Sequence, residues 1–301
     1  MTIVKGVLCT GLPHPLLCPE SNPGYERLRR AFEVAREEIV ASGADIIVIY
    51  STMWPSVIGH QIQARPEPTW VHVDELFHDL GSIPYTFRID APFAKRWSEA
   101  ATARGLQART IDYHGYPIDT GSVVALKHLN PDNALPATIV SSNVYADRAE
   151  TIVLGKSLRD ALEADERKAA VVVISSLSNR LFTNFVPMED DHIHSLKDDE
   201  WNRKLLEFLG DGRVEDIAQL SRDIQRLIRV HKVVNFKPFW WMAAAMGQHN
   251  NFDGKVHAYE PGCGTGAAIV TLTPSASAFG EKEFDEDDVE QYQGARHVLG
   301  D

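Results

Sequence analysis

The sequence predicts an α/β fold: a single domain with a central, mostly parallel or mixed sheet, flanked by helices and carrying long loops at the strand ends. Three observations predict it. Several short segments are almost continuously apolar, as in Asp45–Tyr50 and Lys168–Ser175, the pattern of strands covered on both faces. Segments of helical periodicity separate them. The chain of 301 residues is long enough for one large α/β domain.

The elements follow in order. Ile3–Cys9 reads as a buried strand, and the proline-rich stretch from Gly11 to Pro19 breaks regular structure behind it. Tyr25–Ser42 is predicted helical, with Leu28, Phe32, Ala35 and Ile39 on one face and Gly43 as C-cap. With the strand Asp45–Tyr50 this completes a βαβ-type start. A long loop is expected from Ser51 to about Pro84, and loops of that length in compact domains are usually functional. Ala91–Arg104 reads as helix, Ala137–Ser141 as strand, Ala146–Ala164 as helix and Lys168–Ser175 as core strand. Four helical segments follow: Asp198–Leu209, Val214–Leu220, Ser221–His231 and Lys237–Met246. Lys255–Tyr259 and Ala267–Leu272 read as two strands joined by a glycine-rich β-hairpin turn. A phosphate loop is disfavoured there, because no Lys-Ser/Thr and no helix follow. The compact domain is expected to span 1–272. Beyond it, 273–301 reads as an acidic, solvated extension, since seven of the ten residues from Glu281 to Glu290 are acidic.

Composition narrows the function classes. Hydrophobic residues make up 44% and charged residues 24% of the chain, as expected of a soluble globular protein. A net charge of −12 repels nucleic-acid phosphates, so a DNA or RNA partner is not expected. No apolar run approaches a membrane span and no signal-like N-terminus is seen. Three scattered cysteines, Cys9, Cys18 and Cys263, are a poor disulfide framework, and a cytoplasmic setting is expected.

Three residues are expected where strands end: His14 between Pro13 and Pro15, His60 after Gly59, and Glu260 between Tyr259 and Pro261. Two imidazoles and a carboxylate make a facial triad for non-haem iron, and strand ends of an α/β sheet converge on one rim. The alternatives are loop histidines at the surface and a carboxylate at a turn. His192 and His194 form a polar cluster before a helix, either a solvated loop or a general acid/base pair. His114 lies in the loop Tyr113–Gly121 that opens a helix. The other histidines read as exposed or structurally satisfied.

Stretches such as Val48-Ile49-Tyr50-Ser51-Thr52-Met53-Trp54, Gly115-Tyr116-Pro117-Ile118-Asp119-Thr120-Gly121, Asp198-Asp199-Glu200-Trp201-Asn202-Arg203 and Gly264-Thr265-Gly266-Ala267-Ala268 resemble the protocatechuate 4,5-dioxygenase superfamily of extradiol ring-cleavage dioxygenases over roughly 1–272. The texture is most similar to the 2-aminophenol 1,6-dioxygenase branch and its non-catalytic α subunit. The resemblance implies Fe(II), with Mn(II) as a variant, held by His14, His60 and Glu260. It implies O₂ and a small aromatic with vicinal OH/OH or OH/NH₂ groups as substrates, and a homo-oligomer, dimer or tetramer, or a partner subunit. It also places Asn179 where catalytic relatives carry an acid/base histidine, which leaves His194, His192 or His114 for proton transfer. Thr120, like Asn179, matches a substrate-pocket position. A dihydroxypyridine-cleaving enzyme, a non-catalytic subunit and a zinc hydrolase are the alternatives.

Overall fold

The computed structural model describes residues 2–178, 180–224, 236–247, 251–275 and 289–294. Ten strands and eight α-helices lie along the described residues. The strands are β1 (Ile3–Cys9), β2 (Ile46–Ser56), β3 (His60–Gln63), β4 (Thr69–His72), β5 (Ile83–Thr86), β6 (Ala108–Ile111), β7 (Ala137–Asn143), β8 (Ala169–Ile174), β9 (Phe252–Gly262) and β10 (Thr265–Pro274). The helices are α1 (His14–Leu17), α2 (Pro23–Ala41), α3 (Ala91–Ala103), α4 (Thr120–Leu129), α5 (Arg148–Asp165), α6 (Leu196–Gly210), α7 (Val214–Ile224) and α8 (Lys237–Met246).

Eight strands form one mixed sheet in the order β6-β3-β7-β2-β8-β1-β10-β9. Its four central strands, β7, β2, β8 and β1, are parallel, and β10 and β9 continue it antiparallel. The continuous apolar runs are explained by this placement. Every residue of β8 is buried, because helices cover both faces. One face packs against α2 and α4. The other packs against α3, α5, α6, α7 and α8. Trp241 of α8 is fully buried and stacks on Tyr50 of β2, with ring centroids 5.3 Å apart. Gly155 of α5 lets α8 approach closely, since a Cβ there would lie 2.6 Å from the Trp241 carbonyl.

Helix starts carry their expected caps. Asn22, Asp90, Asp119, Asp147 and Ser195 each accept a backbone N–H in the first turn of the helix that follows. Pro15 does not prevent α1, because proline is tolerated where the helix has no N–H to lose.

The expected long loop from Ser51 to Pro84 is largely structured. β2 runs on to Ser56, β3 joins the main sheet, and β4 pairs with β5 as a separate two-stranded arm. β3, β4 and β5 carry too little pattern to be read, because each has four residues and Gly59, prolines or Gly81 punctuate the chain around them. The arm is open on one side, and Trp70, Val71 and Val73 are exposed on it.

Part of the expected acidic extension lies on its own chain. Tyr292 donates its backbone N–H to the Arg104 carbonyl at 2.9 Å. Glu290 accepts from Arg104 at 2.9 Å and from the buried Lys156 at 2.6 Å. The end of the helix expected at Ser221–His231 and most of the acidic run lie outside the described residues. No helix among the described residues is long and apolar enough to cross a membrane.

Candidate functional site

β1 and β8 are adjacent and parallel, but the chain leaves them toward opposite faces, to α2 after β1 and to α6 after β8. A crevice opens outside the strand ends at such a switch point. A cavity of about 260 Å³ occupies it. The β1 exit contributes His14, the β8 exit contributes 181–191, the β9–β10 turn contributes Cys263, and the loop after β4 contributes Leu76 and Phe77.

His14 is 3% exposed. Its ring meets Tyr25 at 5.1 Å and the edge of Phe77 at 4.5 Å. Nε2 lies 3.5 Å from Cys263 Sγ, while Nδ1 has no hydrogen-bond partner among the described residues. Burial lowers its pKa, against the opposing pull of Asp191, Asp74 and Asp79. The imidazole is therefore neutral near pH 7.

The turn beside it joins Gly262 to Thr265 through Cys263 and Gly264, with φ of 55° and 93°. That is the two-residue hairpin expected from the glycines, with both central residues left-handed. Asp191 fixes it. One carboxylate oxygen accepts from the Cys263 N–H at 2.8 Å and from the Tyr25 hydroxyl at 2.8 Å, and the other accepts from the Gly264 N–H at 3.2 Å. Successive N–H groups in a left-handed turn make an anion-binding concavity, here filled by the protein's own carboxylate. Burial raises the Cys263 thiol to about 12, so it is a weak nucleophile near neutral pH.

Thr120 links the opposite wall. Its hydroxyl donates its one proton to Asp74 at 2.6 Å and therefore accepts from His72 Nε2 at 2.6 Å. The other Asp74 oxygen accepts the N–H groups of Leu76 and Phe77, both at 2.9 Å. Thr120 thus holds the cavity wall without lining the cavity.

The three residues expected to share a metal do not meet. β3 lies four strands from β1, roughly 19 Å at ordinary strand spacing. The chain reverses after β2, so His60 starts β3, which runs antiparallel to β7 and lies between β7 and the edge strand β6, instead of ending a central parallel strand. It is 1% exposed, with Nε2 3.0 Å from the Glu150 carboxylate of α5. Glu260 pairs across to Ala267 and gives its carboxylate to Arg27 of α2, at 2.5 and 2.8 Å. Among the described residues no three His, Cys, Asp or Glu side chains are grouped so as to hold a metal. A facial triad needs two imidazoles and a carboxylate on one ion, and this arrangement does not fit it. Near the end of β2 the Met53 side chain packs against Gly11 at the β1 exit and Gly121 at the start of α4. A Cβ on Gly11 would collide with its sulfur, and one on Gly121 would lie 2.9 Å from it.

His192 and His194 sit beside the cavity and do not line it. Their rings lie 4.8 and 5.5 Å from that of Phe182, a lining residue. His192 Nδ1 is 2.8 Å from the Asp190 carbonyl, and the His194 N–H donates to the Gly264 carbonyl at 2.8 Å. His114 is exposed, and its carbonyl accepts from Arg65. Asn179 lies outside the described residues. Sequence patterns drew attention to histidines and missed Asp191, Tyr25, Cys263 and Met53. Positions flanking the expected site histidines, such as Asp191 beside His192, were the available signal.

A family model described as the catalytic LigB subunit of aromatic ring-opening dioxygenase matches residues 10–271. The α subunit of a 2-aminophenol 1,6-dioxygenase from a Pseudomonas species is 31% identical over 275 residues, covering 91% of this chain and 100% of that one. The β subunit of a 2-aminophenol 1,6-dioxygenase, also from a Pseudomonas species, is 28% identical, covering 89% and 93%. An uncharacterized protein of Escherichia coli K12 shares the fold, with a TM-score of 0.62 at 13% identity over 90% of this chain and 99% of that one. The chain belongs to the LigB family of aromatic ring-opening dioxygenases, an enzyme family of the extradiol type.

Proposed function

We propose that this family member works as one subunit of a hetero-oligomeric extradiol-type dioxygenase, with the catalytic Fe(II) held by a partner chain. The observation that carries the proposal is the donor set. His14 faces Cys263, His60 faces Glu150, Glu260 is bound to Arg27, and no three donors are grouped on one point among the described residues. The similarity to both the α and the β subunit of a two-subunit enzyme supports the same reading. The assembled enzyme takes O₂ and a small aromatic with vicinal OH/OH or OH/NH₂ groups, in the cytoplasm. Iron there supplies alignment of the two reactants and stabilisation of developing charge.

A second reading is that this chain carries Fe(II) itself, on His14, His60 and Glu260 after rearrangement, with His194 or His192 as acid/base. The description of the matching family as catalytic favours it. One experiment separates the two. The chain alone is incubated anaerobically with Fe(II), and O₂ uptake is followed with catechol, 2-aminophenol and a dihydroxypyridine. The subunit reading predicts no uptake above background. Fe(II)-dependent turnover by the chain alone would establish the second reading instead.

A further inference from the structure

The crevice gathers no three metal-ligating side chains among the described residues, but it is open. About 260 Å³ remains beside His14. A dry cavity of about 150 Å³ suffices for benzene, and drug-sized ligands need about 300 Å³ or more, so the space suits one substituted ring. Its walls are largely apolar. Phe77, Phe182 and Phe185 line it together with Leu181, Val186 and Met188. Aromatic walls of this kind pack edge or face against another ring.

The polar groups decide which ring. Among the described residues, Asp79 and Asp191 are the charged residues of the lining, both acidic, and no lysine or arginine lines it. Asp191 is already committed to Tyr25 and to the hairpin N–H groups, so it offers little to a cation. An aromatic carboxylate would enter a negative field with no counter-charge. A neutral ring with one small polar substituent meets neither cost.

The cavity is also held open by bonds that make no use of a ligand. Asp74 fixes the backbone of Leu76 and Phe77 on one side. On the other, Asn22 donates to the Met188 carbonyl at 2.7 Å, and Phe182 donates its N–H to the Cys263 carbonyl at 2.9 Å. The walls therefore come from four chain segments, held by bonds within one segment and between the others. A pre-formed space loses little entropy when it is filled.

We infer that this cavity binds a neutral single-ring aromatic of the phenol or aniline class without any metal. The inference rests on the subunit reading, in which the pocket serves binding and not turnover.

The test is calorimetric titration of the chelator-treated, full-length chain with phenol, aniline and benzoate. Saturable binding of phenol and aniline with Kd below about 1 mM is expected, with benzoate at least tenfold weaker. Val186→Trp, which fills the space from the wall, should abolish binding. Phe182→Ala should weaken it about tenfold, and Trp70→Ala on the exposed arm should leave it unchanged. Absence of saturable phenol binding up to 10 mM, equal affinity for benzoate, or unaltered binding in a folded Val186→Trp protein would overturn the inference. If no ring binds and no iron is taken up, this inference fails while the subunit reading stands. If ring binding appears only after Fe(II) is added, both fail.

Discussion

The two halves of the strand rim treat a buried histidine in opposite ways. His60, on the β3 side, is 1% exposed and faces the Glu150 carboxylate, which also accepts from Asn143 at 3.0 Å. Lys237 completes that corner by donating to the Asn143 and Val144 carbonyls at 2.6 and 3.0 Å. This half ties α5, β7 and α8 together through Glu150, Asn143 and Lys237, while neither ring nitrogen of His60 has a well-aligned hydrogen bond among the described residues. His14, on the β1 side, is almost as buried at 3% but faces a cavity, a thiol and aromatic rings. The difference teaches that burial and a strand-end address do not define a site. What neighbouring side chains do with the histidine defines it.

The largest expected effect comes from removing the Glu150 carboxylate. Glu150→Leu removes the carboxylate that faces His60 and leaves the Asn143 amide without its acceptor. Stability in urea should fall by about 3 kcal/mol. A change below about 1 kcal/mol would show that the network is held by something other than this carboxylate.

A second comparison within the same fold sharpens the point through pH. His128 is buried, stacked 4.2 Å from Phe32, and its Nε2 has no hydrogen-bond partner among the described residues. Burial, with Arg29 and Arg36 nearby, pushes its pKa down to about 3. The unfolded chain, with histidine near 6.5, therefore binds the extra proton between these values. Stability from this group is complete above pH 6.5 and is lost as pH falls through that window. At pH 5 the loss relative to pH 8 should be about 2 kcal/mol, at 1.36 kcal/mol per unit. His128→Leu should flatten the acid limb by that amount. Identical acid limbs in both proteins would remove the titration argument.

On the open half, Asp191→Asn keeps the shape but weakens the hold on the hairpin turn. A loss of about 1–2 kcal/mol is expected, together with faster hydrogen exchange at the Cys263 and Gly264 N–H groups. Unchanged exchange there would mean that the turn does not depend on Asp191. The smallest effect is expected from Arg27→Ala. Arg27 is 58% exposed, so its pairing with Glu260 should contribute no more than about 1 kcal/mol. A larger loss would make Glu260 part of the structural frame, well beyond a surface pair.

Much of the open half was legible in the sequence. The runs in β1, β2, β7 and β8 are apolar without alternation because both faces are covered, and that pattern survives any tertiary context. The hairpin at Gly262–Thr265 was legible because glycines mark a left-handed turn. His14 was found because its prolines mark the strand exit. His60 was misplaced for a physical reason: four-residue strands interrupted by turn residues carry too little periodicity to show that the chain reverses into β3. Met53 was silent because a thioether has no titration signature, and its meaning lies only in its contact with the glycine backbone at Gly11 and Gly121. Asp191 was overshadowed by the two histidines that follow it.

The central claim is that this chain does not assemble a metal site from His14, His60 and Glu260. Anaerobic titration of the metal-free chain with Fe(II), read by competition with a chromophoric chelator and by metal analysis after gel filtration, tests it most directly. Less than about 0.1 iron per chain is expected, the same in wild type, His14→Ala and His60→Ala. One tightly bound iron per wild-type chain, lost in each of those variants, would contradict it.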